Sequence, residues 1–582
     1  MKKQCYLLVV LLCCGANLLF SQQLHKLSEN ELIERQLIST EHASYFSELQ
    51  VQDFQGRIKP IHTLSLDLLR KLYGKNSFKY TDSAGKSQKL TPVQFFLGMQ
   101  FKPDSWQLLP FIKVEKTTRD TIASYLNLKK EFAKPASFFD FQGNYLLKQI
   151  VADAYAKAEG KRNTLDKNII KLDERLNITW AIFSGQFLKV FPNLTDADNK
   201  WYAPKENTNF TGNNQLVFQK IIPTYFEALE TGVQSNNWDK ADEVVEVLKN
   251  FQVNNASSTI LIAPQKVALE ISYNKQQVFF KSMMLYTVFG FLLLIVGFFQ
   301  VFYQKKWLNL VSTILLLFVT LTFLYHAYGI GLRWYVSGHA PWSNGYEATV
   351  FISSICVFAG IVYGLKSKLP AAAAALIAVC LLGIAHGSLM NPEITNLVPV
   401  LKSYWLLIHV AIITGSYGFL TLGSILALLV LVCMIFINNN NQQRVRKVIV
   451  ELTAINEKTS TVGLFMLSVG TFLGGVWANE SWGRYWGWDP KETWALISII
   501  IYAFVLHVRI IFKKNQFFVY NVASLFALSS LIMTFFGVNY YLSGLHSYAK
   551  GDPVPIPSWV FVVTPLLVLL SVVASLRWKR VK

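Results

Sequence analysis

From residue 279 to the C-terminus the sequence is a succession of long apolar runs separated by short polar loops. They lie at roughly 279–302, 308–328, 347–364, 370–389, 404–437, 461–478, 492–512, 516–541 and 558–577. Most are near the ~20 residues a helix needs to cross a hydrocarbon core. In that medium a spanning segment must satisfy its own backbone hydrogen bonds, which leaves helices or closed barrels. Runs of this length select helices. The 404–437 run is long enough to tilt or to project beyond the bilayer. The expected fold is therefore all-α and polytopic, with about nine transmembrane helices.

The net charge of +19 invites a nucleic-acid partner, but its distribution argues against one. Residues 276–582 carry 21 Lys and Arg against 8 Asp and Glu, whereas 24–275 carry 32 against 28. If the first span begins outside, the inward connections carry fifteen basic residues, among them Lys305, Lys306, Arg444, Arg446 and Lys447. The outward ones carry five: Arg333, Lys402, Arg484, Lys491 and Lys550. This is a positive-inside bias. It explains the charge through lipid and topology, with no nucleic acid.

Residues 1–22, with Lys2 and Lys3, a short apolar core and small residues around Ser21, read as a secretory signal peptide. The alternative is an uncleaved anchor, and in either case the next segment lies outside the cytoplasm. Residues 24–275 read as a soluble, mainly helical extracytoplasmic domain. Ser28 and Glu31 form a capping box, and helical spacing recurs over 136–158, 164–191 and 213–231. In 52–72 a turn at Gly56 and a stop at Pro60 precede an amphipathic helix, where His62 reads as a surface or packing residue. No catalytic constellation stands out. The six cysteines are Cys5, Cys13, Cys14, Cys356, Cys380 and Cys433, so 15–355 holds none and a disulfide framework is excluded. Any reductant of thiols outside must be another protein, such as a thioredoxin-like thiol reductase.

The loop at 477–494 is the chemical landmark. It holds Trp477, Trp482, Trp486, Trp488 and Trp494 with Gly483 and Gly487, and closes on Asp489-Pro490-Lys491-Glu492. Tryptophans gather at membrane interfaces as a belt, but a belt does not require five within eighteen residues. They also offer broad stacking surface. His409, about one turn into the fifth run, and His546, in the last outer loop, fall at the same depth. Two imidazoles across a flat aromatic pocket suit a bis-histidine haem iron. His507 lies fifteen residues beyond Glu492, roughly 22 Å down its helix. An ionisable residue there is costly unless paired or ligating. Asp489 reads equally as an N-cap, with proline at the first helical position, and as a direct ligand.

With WGRYWGWDPKETW at 482–494, RWYVSGHAPWSNGYEA at 333–348, SYWLLIHVAIITGSYGF at 403–419, and His507 and His546 downstream, residues 308–577 resemble a known family. It is the CcsA/ResC family of System II cytochrome c maturation, haem-handling proteins with a tryptophan-rich WWD motif. The resemblance implies a 279–306 anchor helix followed by a haem-handling membrane domain with its WWD loop at 477–494. It implies His409 and His546 as external axial ligands of haem b. Trp482, Gly483, Trp486, Trp488 and Asp489 would hold the porphyrin, and His507 would be an internal haem ligand. Haem would move outward and be attached to C-x-x-C-H apocytochromes c, a haem-lyase (holocytochrome c synthase) type of activity. The fused form of the family takes a second internal histidine from a ResB/CcsB-like part. None precedes residue 24, so a separate ResB/CcsB-like membrane protein, or the local His326, is expected to complete that site. The expected location is the bacterial inner membrane, multi-pass and in contact with lipid, with the WWD loop and 24–275 facing the periplasm.

Two other classes compete. A haem b membrane anchor of a respiratory complex also needs histidines near both faces, but no exposed tryptophan loop. A transporter built on inverted repeats with broken helices has no counterpart in the pattern of runs.

Overall fold

A computed structural model describes residues 27–582 apart from 127–130, 159–160, 304, 388–389, 398–400, 514, 543–557 and 581–582. The 1–22 segment and His546 lie outside the described residues. The chain divides into two compact units, Met1–Asn274 and Lys275–Lys582.

The N-terminal unit is mainly helical. Its capping box forms: Glu31 Oε2 accepts the Ser28 N–H (2.8 Å) and Ser28 Oγ accepts the Glu31 N–H (3.3 Å). A single core gathers Phe95, Phe96, Trp106, Phe111 and Phe138, each essentially inaccessible to solvent. Among the described residues, four two-stranded antiparallel sheets accompany the helices. Their strands, two to four residues long, are too short to leave an alternation in the sequence. The helical spacing over 136–158 yields no single helix. Asp140 Oδ1 accepts the N–H groups of Gln142 and Asn144 (2.8 Å each). The turn that results separates a 3₁₀ segment, Pro135–Phe138, from the helix Lys148–Ala156.

Charges buried in this unit are paired. Lys59 Nζ lies 3.1 Å from both Asp53 and Asp67. Arg57 donates to Glu270 at 2.8 Å, and the other Glu270 oxygen accepts the Thr63 hydroxyl at 2.9 Å. The turn at Gly56 (φ +81°) brings Arg57 and Lys59 to these partners. His42 bridges Asp242 (2.7 Å) and Tyr225 (2.8 Å) and stacks on Trp238. His62 is buried, consistent with packing.

The second unit contains, among the described residues, nine helices long and apolar enough to cross a membrane. They are α1 (Val278–Phe302), α2 (Lys306–Ser337), α3 (Gly345–Gly364), α4 (Lys368–His386), α5 (Tyr404–Ile435), α6 (Gln442–Trp482), α7 (Pro490–Ile511), α8 (Gln516–Ile532) and α9 (Ser558–Arg580). This is the all-α polytopic architecture expected. Lipid gives helices little hydrophobic reason to associate, so close backbone approach through small residues matters more. α4 supplies it with Ala371–Ala375, all buried. A Cβ on Gly360 of α3 would come within 2.3 Å of Ala374, and one on Gly290 of α1 within 2.7 Å of Ala375.

α5, α6 and α8 meet around a neutral polar core. Asn456 donates to Asn521 Oδ1 (3.2 Å), Asn521 to Thr453 (2.9 Å), and Ser460 and Ser524 both donate to Asn456 Oδ1 (3.2 and 3.1 Å). These side chains are wholly buried. Neutral amides and hydroxyls can satisfy one another in hydrocarbon without the desolvation cost of charge.

A candidate haem-binding cavity at the tryptophan turn

α6 ends at Trp482 because Gly483 takes the left-handed backbone (φ 71°) that closes a helix. The chain then turns back within six residues to start α7. Asp489 caps it: its Oδ1 accepts the Lys491 N–H (3.0 Å). Glu492 Oε2 reaches back to the N–H groups of Asp489 (3.2 Å) and Gly487 (2.8 Å). Both carboxylates of this turn are thus engaged with backbone, and capping is the role in which Asp489 is seen. Trp488 itself holds φ +55° and is 71% exposed.

Behind the turn lies a cavity of about 240 Å³ between α5, α6, α7 and the chain after α8. Its wall is largely apolar, with Leu406, Val410, Ile413, Tyr417 and Phe535. Trp342 reaches it from the α2–α3 loop, where its indole N–H donates to Leu407 O of α5 at 3.1 Å. That loop is fixed by a fully buried ion pair, Arg333 Nε to Glu347 at 2.8 Å. Arg333 also donates to Pro392 O (2.9 Å), and Glu347 accepts from the Ser343 N–H (2.9 Å). At the end of α8 the helix widens into a π turn, Met533–Gly537, which puts Thr534, Phe535 and Asn539 on the wall. Such turns often mark functional sites.

His409 lines this cavity and is almost fully buried. Its Nδ1 lies 2.9 Å from Trp405 O. A carbonyl only accepts, so the ring proton belongs on Nδ1 and the basic lone pair on Nε2, the arrangement that suits a metal-ligating imidazole. The ring stacks on Trp477 at 5.4 Å, and Trp477 meets Trp482 edge-on at 4.8 Å. A Cβ on Gly474 would stand 3.4 Å from His409 Cδ2, so glycine keeps that side of the imidazole clear. An aromatic, largely apolar cavity lined by an imidazole whose Nδ1 faces a carbonyl fits haem as a bound substrate.

Of the residues expected to bind, His409 and Trp486 line the cavity together, while Trp482 supports Trp477 from behind. Gly483, Trp488 and Asp489 shape the turn and do not line it. Trp477 and Lys491 line it as well; the sequence reading allotted Trp477 only a share in the general stacking surface, and Lys491 no binding role. The sequence signals were the adjacent glycines 474–475 before Trp477, and the position of Lys491 inside the motif.

His507 is elsewhere, on an exposed face of α7 with Ile500, Phe504 and Ile511, its Nδ1 2.7 Å from Ala503 O. His326 is wholly buried, flanked by Phe279 and Tyr286 of α1, with its Nδ1 3.5 Å from the Tyr286 hydroxyl. One ring is enclosed and the other faces outward, so the structure does not bring them together.

Residues 342–546 match the family described as cytochrome c assembly protein. CcsA of Prochlorococcus marinus, a cytochrome c biogenesis protein, is 36% identical over 246 residues, which cover 37% of this chain and 78% of that protein. The chain belongs to this family. A CcsA of Synechococcus is 34% identical over 287 residues, covering 44% of this chain and 94% of the relative. The family region contains every helix that lines the cavity. Protein NrfI of Wolinella succinogenes is similar over a longer stretch, 36% identical across 525 residues and 90% of this chain. That stretch takes in the N-terminal unit as an extra region before the CcsA-like part. The chain spans 56% of the length of NrfI.

Proposed function

We propose that the cavity holds haem and that the protein presents it at one membrane face for covalent attachment to C-x-x-C-H apocytochromes c. The observation that carries this reading is His409, whose lone-pair nitrogen belongs to a ring stacked on Trp477 in the aromatic cavity. His546 is the second axial ligand in this proposal. The positive-inside bias supports placing the WWD turn and the N-terminal unit on the periplasmic side of a bacterial inner membrane. In the attachment step a cysteine sulphur bonds to a vinyl carbon while the thiol hydrogen passes to its neighbour. No electron is gained or lost overall, and the protein contributes mainly position. A thioredoxin-like reductase keeps the substrate cysteines as thiols.

The exposed setting of His507 supports a role completed by another membrane protein, for which a ResB/CcsB-like partner is the natural candidate. A histidine left facing lipid alone would be costly. The internal haem site of this reading is thus formed between chains.

The test is the reduced haem spectrum of the purified full chain. His409→Ala and His546→Ala are each expected to lose the six-coordinate bis-histidine bands, and added imidazole to restore them. Bands unchanged in both variants would remove the ligand assignment. Co-expression with an apocytochrome separates attachment from electron transfer: covalent haem on the C-x-x-C-H protein is expected, and a purely electron-carrying haem b anchor would leave none.

A further inference from the structure

At the end of the bundle that the positive-inside bias assigns to the cytoplasm, two helix ends meet with their charges uncompensated. α6 begins at Gln442 with no side-chain cap and no acid in its first turn, and Arg444, Arg446 and Lys447 follow, all exposed. Cations are unfavourable at the positive end of a helix, and such an end attracts an anion. α9 ends beside it on the exposed Arg577, Lys579 and Arg580. The two are packed together there, because Val445 and Ile449 of α6 share a buried cluster with Ala574 and Trp578 of α9. Among the described residues the ion pairs of this unit lie elsewhere, at Arg333–Glu347 and Arg509–Glu457. Arg444 donates to Phe302 O at the end of α1 (2.7 Å), and the Arg446 guanidinium lies over the Trp578 ring, 5.5 Å from its centroid.

Basic residues at inner helix ends are ordinary in membrane proteins. Two further observations mark a site. Trp578 is 4% exposed, and the buried N–H of the indole under Arg446 has no acceptor among the described residues. A buried donor without an acceptor is costly and calls for a ligand or a water. In addition, Leu566, Leu569, Val572 and Leu576 make an exposed apolar stripe along α9, and Arg580 closes it one turn beyond Leu576. Charge and lipid-facing surface are thus continuous.

We propose that the meeting point of α6 and α9 binds an anionic phospholipid, its phosphate against Arg446 and Arg580 and its acyl chains along the α9 stripe. Stacking on an indole leaves the guanidinium N–H edge free for a phosphate. Such basic pockets between helices suit anionic headgroups. α9 buries the smallest share of its apolar stretch of the nine spans, so a lipid at its inner end supplies contact that protein does not. The inference rests on the membrane-spanning helices and not on the haem reading.

The experiment counts lipid retained by the purified, detergent-solubilised full chain, using native mass spectrometry. Phosphatidylglycerol and phosphatidylcholine with matched acyl chains compete, so that headgroup charge is the variable. A basic residue near an anionic lipid surface is worth roughly fivefold in affinity, so wild type is expected to retain one phosphatidylglycerol with about a ten- to thirtyfold preference. Arg446→Gln combined with Arg580→Gln should bring the ratio near one, and Trp578→Phe should lower it a few-fold. Lys366→Gln, in a different inner connection, should leave it as in wild type. Excess inorganic phosphate should not displace the lipid. A wild-type ratio near one overturns the inference without any variant, as does a ratio unchanged in the double variant or equally lowered in Lys366→Gln. Displacement by inorganic phosphate would assign the site to a free anion instead of a lipid. Should the double variant fail to fold, the wild-type ratio, the phosphate competition and Trp578→Phe still decide.

Discussion

The two units bury polar groups by different rules. In the N-terminal unit Lys59 sits between two aspartates and Arg57 meets Glu270. In the membrane unit the buried polar core is built from Asn456, Asn521 and hydroxyl side chains, none of them charged. Among the described residues its one fully buried ion pair is Arg333–Glu347, beside the loop that delivers Trp342 to the cavity. A unit with water at its surface can hold charges in pairs. A unit solvated by hydrocarbon does better with groups that were never charged. Where the membrane unit departs from that rule, it is bracing the site.

The strongest way to break this contrast is Glu347→Ala, which leaves Arg333 charged and buried. Losing one partner of such a pair typically costs about 3–5 kcal/mol. Thermal unfolding in detergent should show it, together with loss of haem binding. The double change Arg333→Met with Glu347→Met should recover most of the stability but not the loop position. If the single variant melts like wild type, the pair is not bracing the loop.

A smaller effect is expected from Asn456→Leu. Interhelical hydrogen bonds in membranes average about 0.6 kcal/mol and reach about 2. Asn456 takes part in three such bonds, so the variant should lose about 2 kcal/mol, and its haem spectrum should not change. A loss comparable to that of Glu347→Ala would mean that the neutral network is not the cheap solution described above.

The smallest effect concerns pH and the N-terminal unit alone. Burial lowers the pKa of His42, partly offset by Asp242. Because the folded state holds this proton less readily than the unfolded chain, its contribution is fully present above the ordinary histidine pKa. It is lost as pH falls below that value. The slope for one proton cannot exceed about 1.4 kcal/mol per pH unit. Melting of the full chain between pH 7 and 5 should fall more steeply in wild type than in His42→Asn. Parallel slopes would show that His42 does not titrate against folding.

The fold was legible wherever hydropathy alone decides it. α6 shows where that signal stops. The apolar run begins near 461, yet the helix begins at Gln442. Its first turns carry Arg444, Arg446, Lys447 and Glu451 on one side, while Val445, Ile449 and Leu452 are buried on the other. Averaged hydropathy hides such a face. α2 likewise runs past 328 to Ser337, because Arg333 is neutralised by a glutamate fourteen residues away. The site was legible in part. His409 stood out because an imidazole beside a tryptophan loop has few bland explanations. The stacking place of Trp477 depends on how closely α5 approaches α6 at Gly470, where a Cβ would meet Ile413 at 2.6 Å. No spacing within one helix reports that distance.

The π turn at Met533–Gly537 has an implication for how chain length can vary here. A turn of this kind holds one residue more than a regular helix would. The wider turn absorbs that residue; at 3.6 residues per turn, the same residues wound as regular α-helix would carry everything after them about 100° further round. Rewinding 533–537 as ordinary α-helix with every residue kept would therefore swing Asn539 off the cavity wall, whereas removing one position, such as Gly537, would leave the remaining helix facing as it does. The width of this turn, rather than the number of residues before it, sets the angle at which Asn539 meets the cavity.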